Sequence, residues 1–462
     1  MMQSKPLPEN AWDQKRWRHT GLRRRILEGE WEQDIRYAVK EQAGTKRAQA
    51  WKTVDMSSNV LASVCGQLAV IYSRRPVVSH AEDEAAAQAV AGLLEGWESL
   101  MQRLQRNTIG LREMLLRPNV VMVDDEPVVA LRPVTPDMVL VDADPSRPEV
   151  PLRIREVRWR TDPTTGQAGW FWDELDIRDP EAPTYVIRRD SDDDDLTVAF
   201  AGGSMSGDSY PYRDANNRPY LPYVVYHADR TGQVFDPFYG REVVEGTLTA
   251  SVYLSYLGHS LLRAAFAQRY VVGGDVRGST REDGLHVVEA DPSNVILIEV
   301  AEGFEGTPVV GQWGAGVSVQ ELSDAVRSYE RRVATFAKIS ASDIQRMSGD
   351  PRSGYALMIS NEAKREASRE YEPVFQLSDR HLLAMVAKMV NRQAGTTLPE
   401  SGYDLTYQAL PLSAEERKAL REEFDWLLDR GAITEDEAQE RLHAAGLVKY
   451  PHRQNSGDNR ED

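Results

Sequence analysis

The chain has 462 residues, 41% of them apolar, one cysteine and a formal charge of −17. That size calls for two to four compact units with real cores, no apolar run approaches the ~18 residues of a membrane helix, and a lone Cys65 excludes an intrachain disulfide. The charge is uneven: through His80 there are fourteen Lys/Arg against eight Asp/Glu, and the remainder carries −23, which argues against a tight, general grip on nucleic acid.

The first ten residues lack the apolar core of a signal peptide. Residues 10 to 42 read as helix, with Gly21 and Gly29 as weak points. Arg16, Arg18 and Arg23 to Arg25 make it basic, as a solvated face or, in the sharper alternative, a phosphate-contacting one. A second helix is expected over 54 to 72, with Cys65 as a buried structural thiol made in a reducing compartment. It ends before Arg74-Arg75-Pro76. A third is expected from Glu82 to Arg106, extended by Ile109 to Leu116.

Short β-type runs then fill 119 to 200, the last at Leu196 to Phe200, separated by turn signals such as Asp124-Asp125 and the tetra-aspartate Asp192 to Asp195. They read as an antiparallel meander, with Trp159, Trp170 and Trp172 as core or interface residues, and Leu221 to His227 adds a strand. A long helix follows from Tyr239 to Gln268, apolar over a wide face. After it comes an acidic β-rich insert of about 45 residues. Val319, Leu322, Val326, Tyr329, Val333 and Phe336 then fall at spacings of three and four, a narrow helical seam. Two glycines and Pro351 break the chain between Ile344 and Gly354, and a second long helix runs to Asn391. A strand at Asp404 to Gln408 and two short helices, opened by capping-box spacings at Ser413 and Thr434, close the chain before a polar tail.

Motifs for catalysis are missing. Gly273-Gly-Asp-Val-Arg-Gly278 lacks dinucleotide-loop spacing and a following helix. Gly203 to Gly207 is not a nucleophile elbow, the eight histidines show no ligand spacing, and consecutive aspartates do not converge on one cation. No cofactor or metal is expected.

In element order, and in Ser353-Gly-Tyr-Ala-Leu357, the chain resembles the portal proteins of tailed bacteriophages, whose long wing helix commonly opens on Ser-Gly-x-Ala-Leu. The resemblance implies an α+β, portal-like fold: long stem helices flank a small β-rich clip, with an α/β wing and a helical C-terminal crown. The wing would take 1–238, its N-terminal helices 10–116 and β-rich part 119–228. Stem helices at 239–268 and 317–340 would flank a clip at 269–316. A tunnel loop would span 341–353, the wing's long helix and return strand 354–410, the crown 411–448 and a disordered tail 449–462.

The same resemblance implies a non-enzymatic, dodecameric ring at one capsid vertex of the virion, assembled in the host cytoplasm, for DNA packaging and ejection. Its partners would be double-stranded DNA in the channel, the terminase large subunit, a head–tail adaptor protein, the major capsid protein and a scaffold, with no membrane. Lys338, Asp343, Gln345, Arg346, Ser348, Asp350 and Arg352 would face DNA. Arg277, Arg281, Glu282, Asp283, Glu289, Glu302 and Glu305 would meet motor and adaptor on the clip. Two other readings stay open: a multidomain enzyme with a site assembled from scattered residues, and a nucleic-acid-binding adaptor using the basic N-terminal helices.

Overall fold

The structure is a computed structural model that describes residues 5–45, 53–94, 96–190, 195–200, 210–236, 241–265, 268–272, 274–276, 279–280, 286–287, 298–300, 309–313, 318–339, 354–408, 414–434 and 437–438. Helices and sheets both contribute, an α+β composition. The chain divides into two compact units, Met1–Arg24 with Ala62–Gly240 and Lys338–Asp462, and Arg25–Leu61 with Arg241–Ala337.

The opening helix is two. α1 (Ala11–Glu28) carries Gly21 within it but stops at Gly29, whose φ of 81° is left-handed, and α2 (Glu32–Ala43) restarts after buried Trp31. The helix expected over 54 to 72 is shorter. Asp55 folds its carboxylate back to accept from the Ser57 N–H at 2.7 Å, a turn that competes with helix. Only then does α3 (Val60–Leu68) begin, followed by a 3-10 turn at Ile71–Ser73. Strand β1 (Val77–His80) comes next. The third expected helix is split at Gly96 (φ 77°) into α4 (Glu84–Leu93), N-capped by Asp83, and α5 (Trp97–Leu111).

Residues 113 to 116 are strand rather than helix. Arg112 takes a φ of 78°, ending α5, and β2 (Glu113–Val123) starts at the next residue. Met114, Leu115 and Leu116 are all fully buried, so their run shows no alternation. An apolar run buried on both faces cannot be told from a helix by periodicity. β2 pairs with β3 (Glu126–Val134) from Leu115↔Val134 to Val123↔Glu126, and with β8 (Val224–His227) over Glu113–Leu116. The β2–β3 turn is Asp124-Asp125, both at positive φ (51° and 65°), a two-residue geometry that usually takes Asn-Gly.

The second sheet is the expected meander, in the order β4 (Val139–Asp144), β5 (Arg147–Thr161), β6 (Ala168–Asp176), β7 (Thr184–Arg189). Leu115 and Val134 from the first sheet, Val139, Ile154 and Leu175 from the second, and Tyr223 form one core. Leu196 to Phe200 is not a strand: Thr197–Phe200 is a single helical turn, its first N–H donating to Asp195 Oδ1 at 2.9 Å. Trp159 is 44% exposed, edge-on to Trp170, so it is no core residue, whereas Trp170 and Trp172 pack against the Trp17 cluster.

In the second unit, α6 (Arg241–Ala265) leads into three antiparallel strand pairs that nest one inside the next. β9 (Gln268–Val272) pairs with β14 (Val309–Trp313), β10 (Gly274–Val276) with β13 (Ile298–Val300), and β11 (Ser279–Thr280) with β12 (His286–Val287). α7 (Val319–Phe336) returns from them, opened by a capping box in which Ser318 Oγ accepts from Glu321 N–H and Ser318 N–H donates to Glu321 Oε2.

Back in the first unit, α8 (Gly354–Ala394) holds Pro373 in its interior. Its Asp379 is fully buried and accepts from the hydroxyls of Tyr72 (2.8 Å), Tyr226 (2.8 Å) and Tyr407 (2.6 Å). Those three donors come from the 3-10 turn, β8 and the segment after β15 (Tyr403–Thr406), so one carboxylate ties α8 to three remote stretches. β15 pairs with β1. α9 (Ala414–Asp429) follows, and Thr434 and Glu437 exchange both bonds of the expected second capping box. Ser413, Asp192 to Asp194, the 202–207 loop and the polar tail lie outside the described residues.

Candidate functional site

The candidate site is the helix-and-ribbon hairpin of the second unit, and it is built on a glycine. A Cβ placed on Gly246 of α6 would sit 2.5 Å from Val333 Cγ2 of α7, so glycine permits this approach. Seven residues on, Tyr253 meets Tyr329 edge-on at 5.8 Å. Position rises along α6 as it falls along α7, so the helices are antiparallel. The direction continues into the ribbon, where Gln268 pairs with Trp313 and Val272 with Val309. At 1.5 Å per residue α6 is about 37 Å long.

A second face of α6 carries small polar side chains four residues apart. Thr247, Ser251 and Ser255 are buried. Thr247 Oγ1 accepts from Leu61 N–H at 3.0 Å and Ser255 Oγ from Asp55 N–H at 2.8 Å. Each hydroxyl also donates back along its own helix, to Val243 O and Ser251 O. Residues 53–59, which have no regular element, and the start of α3 are thereby held along α6, and Ser58 reaches Glu330 of α7. The wide buried face expected of this helix is therefore two faces, one met by α7 and one by residues 53–59 with the start of α3.

The α7 seam is packed at Val326 and Val333, half-buried at Leu322 and Tyr329, and departs from expectation at Phe336, which is 60% exposed. The reason is drift. A 3.5-residue seam rotates about 20° per heptad on a straight helix, so Phe336 ends roughly 80° around from Val326, against roughly 60° for half-buried Tyr329 one heptad earlier. Ala334 and Ile339 are buried in its stead. For Val319 only the backbone position, at the start of α7, is described.

Of the residues assigned to face DNA, Lys338 is described: its side chain is 72% exposed, its φ is 57°, and its ammonium lies 3.5 Å from Glu370 of α8. Asp343, Gln345, Arg346, Ser348, Asp350 and Arg352 lie outside the described residues, as do Arg277, Arg281, Glu282, Asp283, Glu289, Glu302 and Glu305. No three or more His, Cys, Asp or Glu side chains among the described residues are grouped to hold a metal ion. No helix among them is long and apolar enough to cross a membrane.

Two solved particles contain chains similar to this one. A chain of "Neck of empty GTA particle computed with C6 symmetry" is 14% identical, with 84% of this chain and 89% of that one covered and a TM-score of 0.40. A chain of "Virion of native gene transfer agent (GTA) particle" is 13% identical, with 85% and 91% covered and a TM-score of 0.38. No protein-family model matches the sequence, and neither does any curated protein.

The basic N-terminal helix is not one solvated face: Arg16 and Arg23 are buried, Arg24 and Arg25 half-buried. Arg16 is 8% exposed and donates to the carbonyls of Pro136 (2.5 Å) and Val139 (2.7 Å) and to Asp13. Burial pulls its pKa down and Asp13 opposes that. Arg23 is buried and donates to Gly110 O, Arg24 pairs with Asp137, and Arg25 pairs with Asp34. Arg18 is exposed. Cys65 is buried as expected, and burial pushes its thiol up to about 12.

Gly246, the Thr247–Ser251–Ser255 face and Asp379 are absent from the sequence reading. The spacing of the three small polar residues at i, i+4 and i+8 is a usable signal for the α6 face. The close approach at Gly246 has no local signal, because it depends on a residue 87 positions away.

Proposed function

We propose that this chain is the subunit of a portal ring, the channel at a unique capsid vertex through which DNA is packaged and ejected. The observation that carries the reading is the nested hairpin of 241–336: two antiparallel helices in register, joined through strand pairs that close progressively inward. That is the arrangement of two stem helices with a clip between them. α6 and α7 are the stems, residues 269–316 with their strand pairs are the clip, and residues 341–353 take the place of the tunnel loop.

A ring forms when one heterologous contact repeats until it closes. The α7 face carrying Asp324, Arg327, Arg331 and Arg332 is exposed in the single subunit and open to a neighbour or the bore. The acidic bulk of the chain suits passage, because DNA held by few cations slides where a dense basic lining would grip it. Work on DNA then belongs to the terminase motor, which docks on the clip, to be followed by a head–tail adaptor. The adaptor-type alternative loses its main residues, since Arg16 and Arg23 are engaged inside their own unit. Native mass spectrometry and negative-stain micrographs of the purified full chain test the proposal. Closed rings near twelve copies are expected; a monomer at all concentrations, in solution and in particles, overturns it.

A further inference from the structure

The buried polar centre between the two sheets of the first unit carries more cations than anions. Arg117 of β2, Arg132 of β3, and Arg158 and Arg160 of β5 converge on Glu156 of β5 and Asp173 of β6. Arg132 forks onto Glu156 at 2.5 and 2.6 Å, and Arg117 lies 3.4 Å from Glu156 and 3.0 Å from Asp173. Arg160 closes on Asp173. Tyr223 donates to Glu156 at 2.7 Å. Burial opposes ionisation of Glu156, but Arg132, Arg117 and Tyr223 outweigh it and hold the carboxyl at about 2. Four guanidiniums therefore face two carboxylates.

Arg158 is the least engaged of the four. Its contacts are long, 3.8 Å to Glu156 and 3.6 Å to Asp173, and burial together with Arg132 and Arg160 lowers its pKa. Its side chain is 33% exposed and that of Arg132 is 35%, whereas Glu156 and Asp173 are 2% and 0% exposed. The carboxylates are thus enclosed and the surplus charge emerges at the rim. Guanidiniums present planar donors that match oxyanions, and a surplus of buried positive charge is costly unless it is matched.

We propose that Arg158 and Arg132 form a seat for a tetrahedral oxyanion, a free phosphate or a phosphate group carried on a larger molecule. The seat lies wholly within the first unit and is independent of the ring reading. Isothermal titration of the full-length protein with inorganic phosphate, at ionic strength fixed with chloride, tests it. Saturable binding is expected, weakened about tenfold in Arg158→Gln and unchanged in Arg178→Gln, an exposed arginine paired with Asp176. Arg158→Lys keeps the charge but loses the planar set of donors, so it too binds more weakly and serves if Arg158→Gln does not fold. A short DNA duplex is then titrated: binding that phosphate displaces identifies a phosphodiester as a source, and phosphate binding alone identifies the free anion. Absence of saturable phosphate binding by the wild type, or an Arg158 variant that binds phosphate as the wild type does, overturns the proposal.

Discussion

Asp379 shows how a single side chain fixes a fold and leaves a pH signature. Burial raises its pKa and the three tyrosine hydroxyls oppose that, leaving it at about 6, above the ordinary 3.8. The folded state therefore holds the proton more tightly than the unfolded chain. Stability from this group is fully present below pH 4 and is lost as pH rises through 6, by about 3 kcal/mol for a shift of this size. Urea unfolding of wild type and Asp379→Asn between pH 4 and 7 checks this. The wild type should lose stability relative to the variant across that window; parallel profiles would contradict the assignment. Glu113, raised to about 8 chiefly by burial, slopes the same way in both proteins and cancels in the difference. None of this is legible in the sequence, because Tyr72 and Tyr226 lie 307 and 153 residues from Asp379 and Tyr407 another 28 beyond it. Cys65 was legible, since its own neighbours are apolar.

The hairpin of α6 and α7 turns on the Gly246–Val333 contact. In an isolated helix Gly→Ala gains roughly 1 kcal/mol. Here the added methyl would meet a β-branched side chain with a stiff χ1, so overpacking of about 1–3 kcal/mol should prevail. Gly246→Ala should lower the melting temperature, and Val333→Ala in the same chain should recover part of the loss; a more stable single variant would show that the helices separate freely. Element existence was readable where periodicity was strong, as in α7, α8 and the β4–β7 meander. It failed where tertiary burial erased the period, as at Met114 to Leu116, and where one residue set a boundary, as at Asp55 and Gly96, while the break at Gly29 fell at a weak point the sequence shows. Phe336 failed for a subtler reason, the mismatch between a 3.5-residue seam and a 3.6-residue helix.

Across the whole molecule the sequence-level charge asymmetry changes its meaning. The basic N-terminal segment reads as a solvated face or, in the sharper alternative, a phosphate-contacting one, yet Arg16, Arg23, Arg24 and Arg25 bind carbonyls and carboxylates within the protein. Among the described residues a buried cationic surplus sits between the sheets instead, where Arg117 and Arg158 are separated by 41 positions and form no run. What the proposed ring requires is narrower: a nested hairpin, a seam that holds it, and exposed faces for a neighbour and for DNA. Cryo-electron microscopy of the assembled protein tests that claim most directly. The account predicts a closed ring with α6 and α7 lining the axial bore and the 268–313 ribbon projecting from one end. A ring whose bore is lined by other elements, with this hairpin on the outer rim, would contradict it.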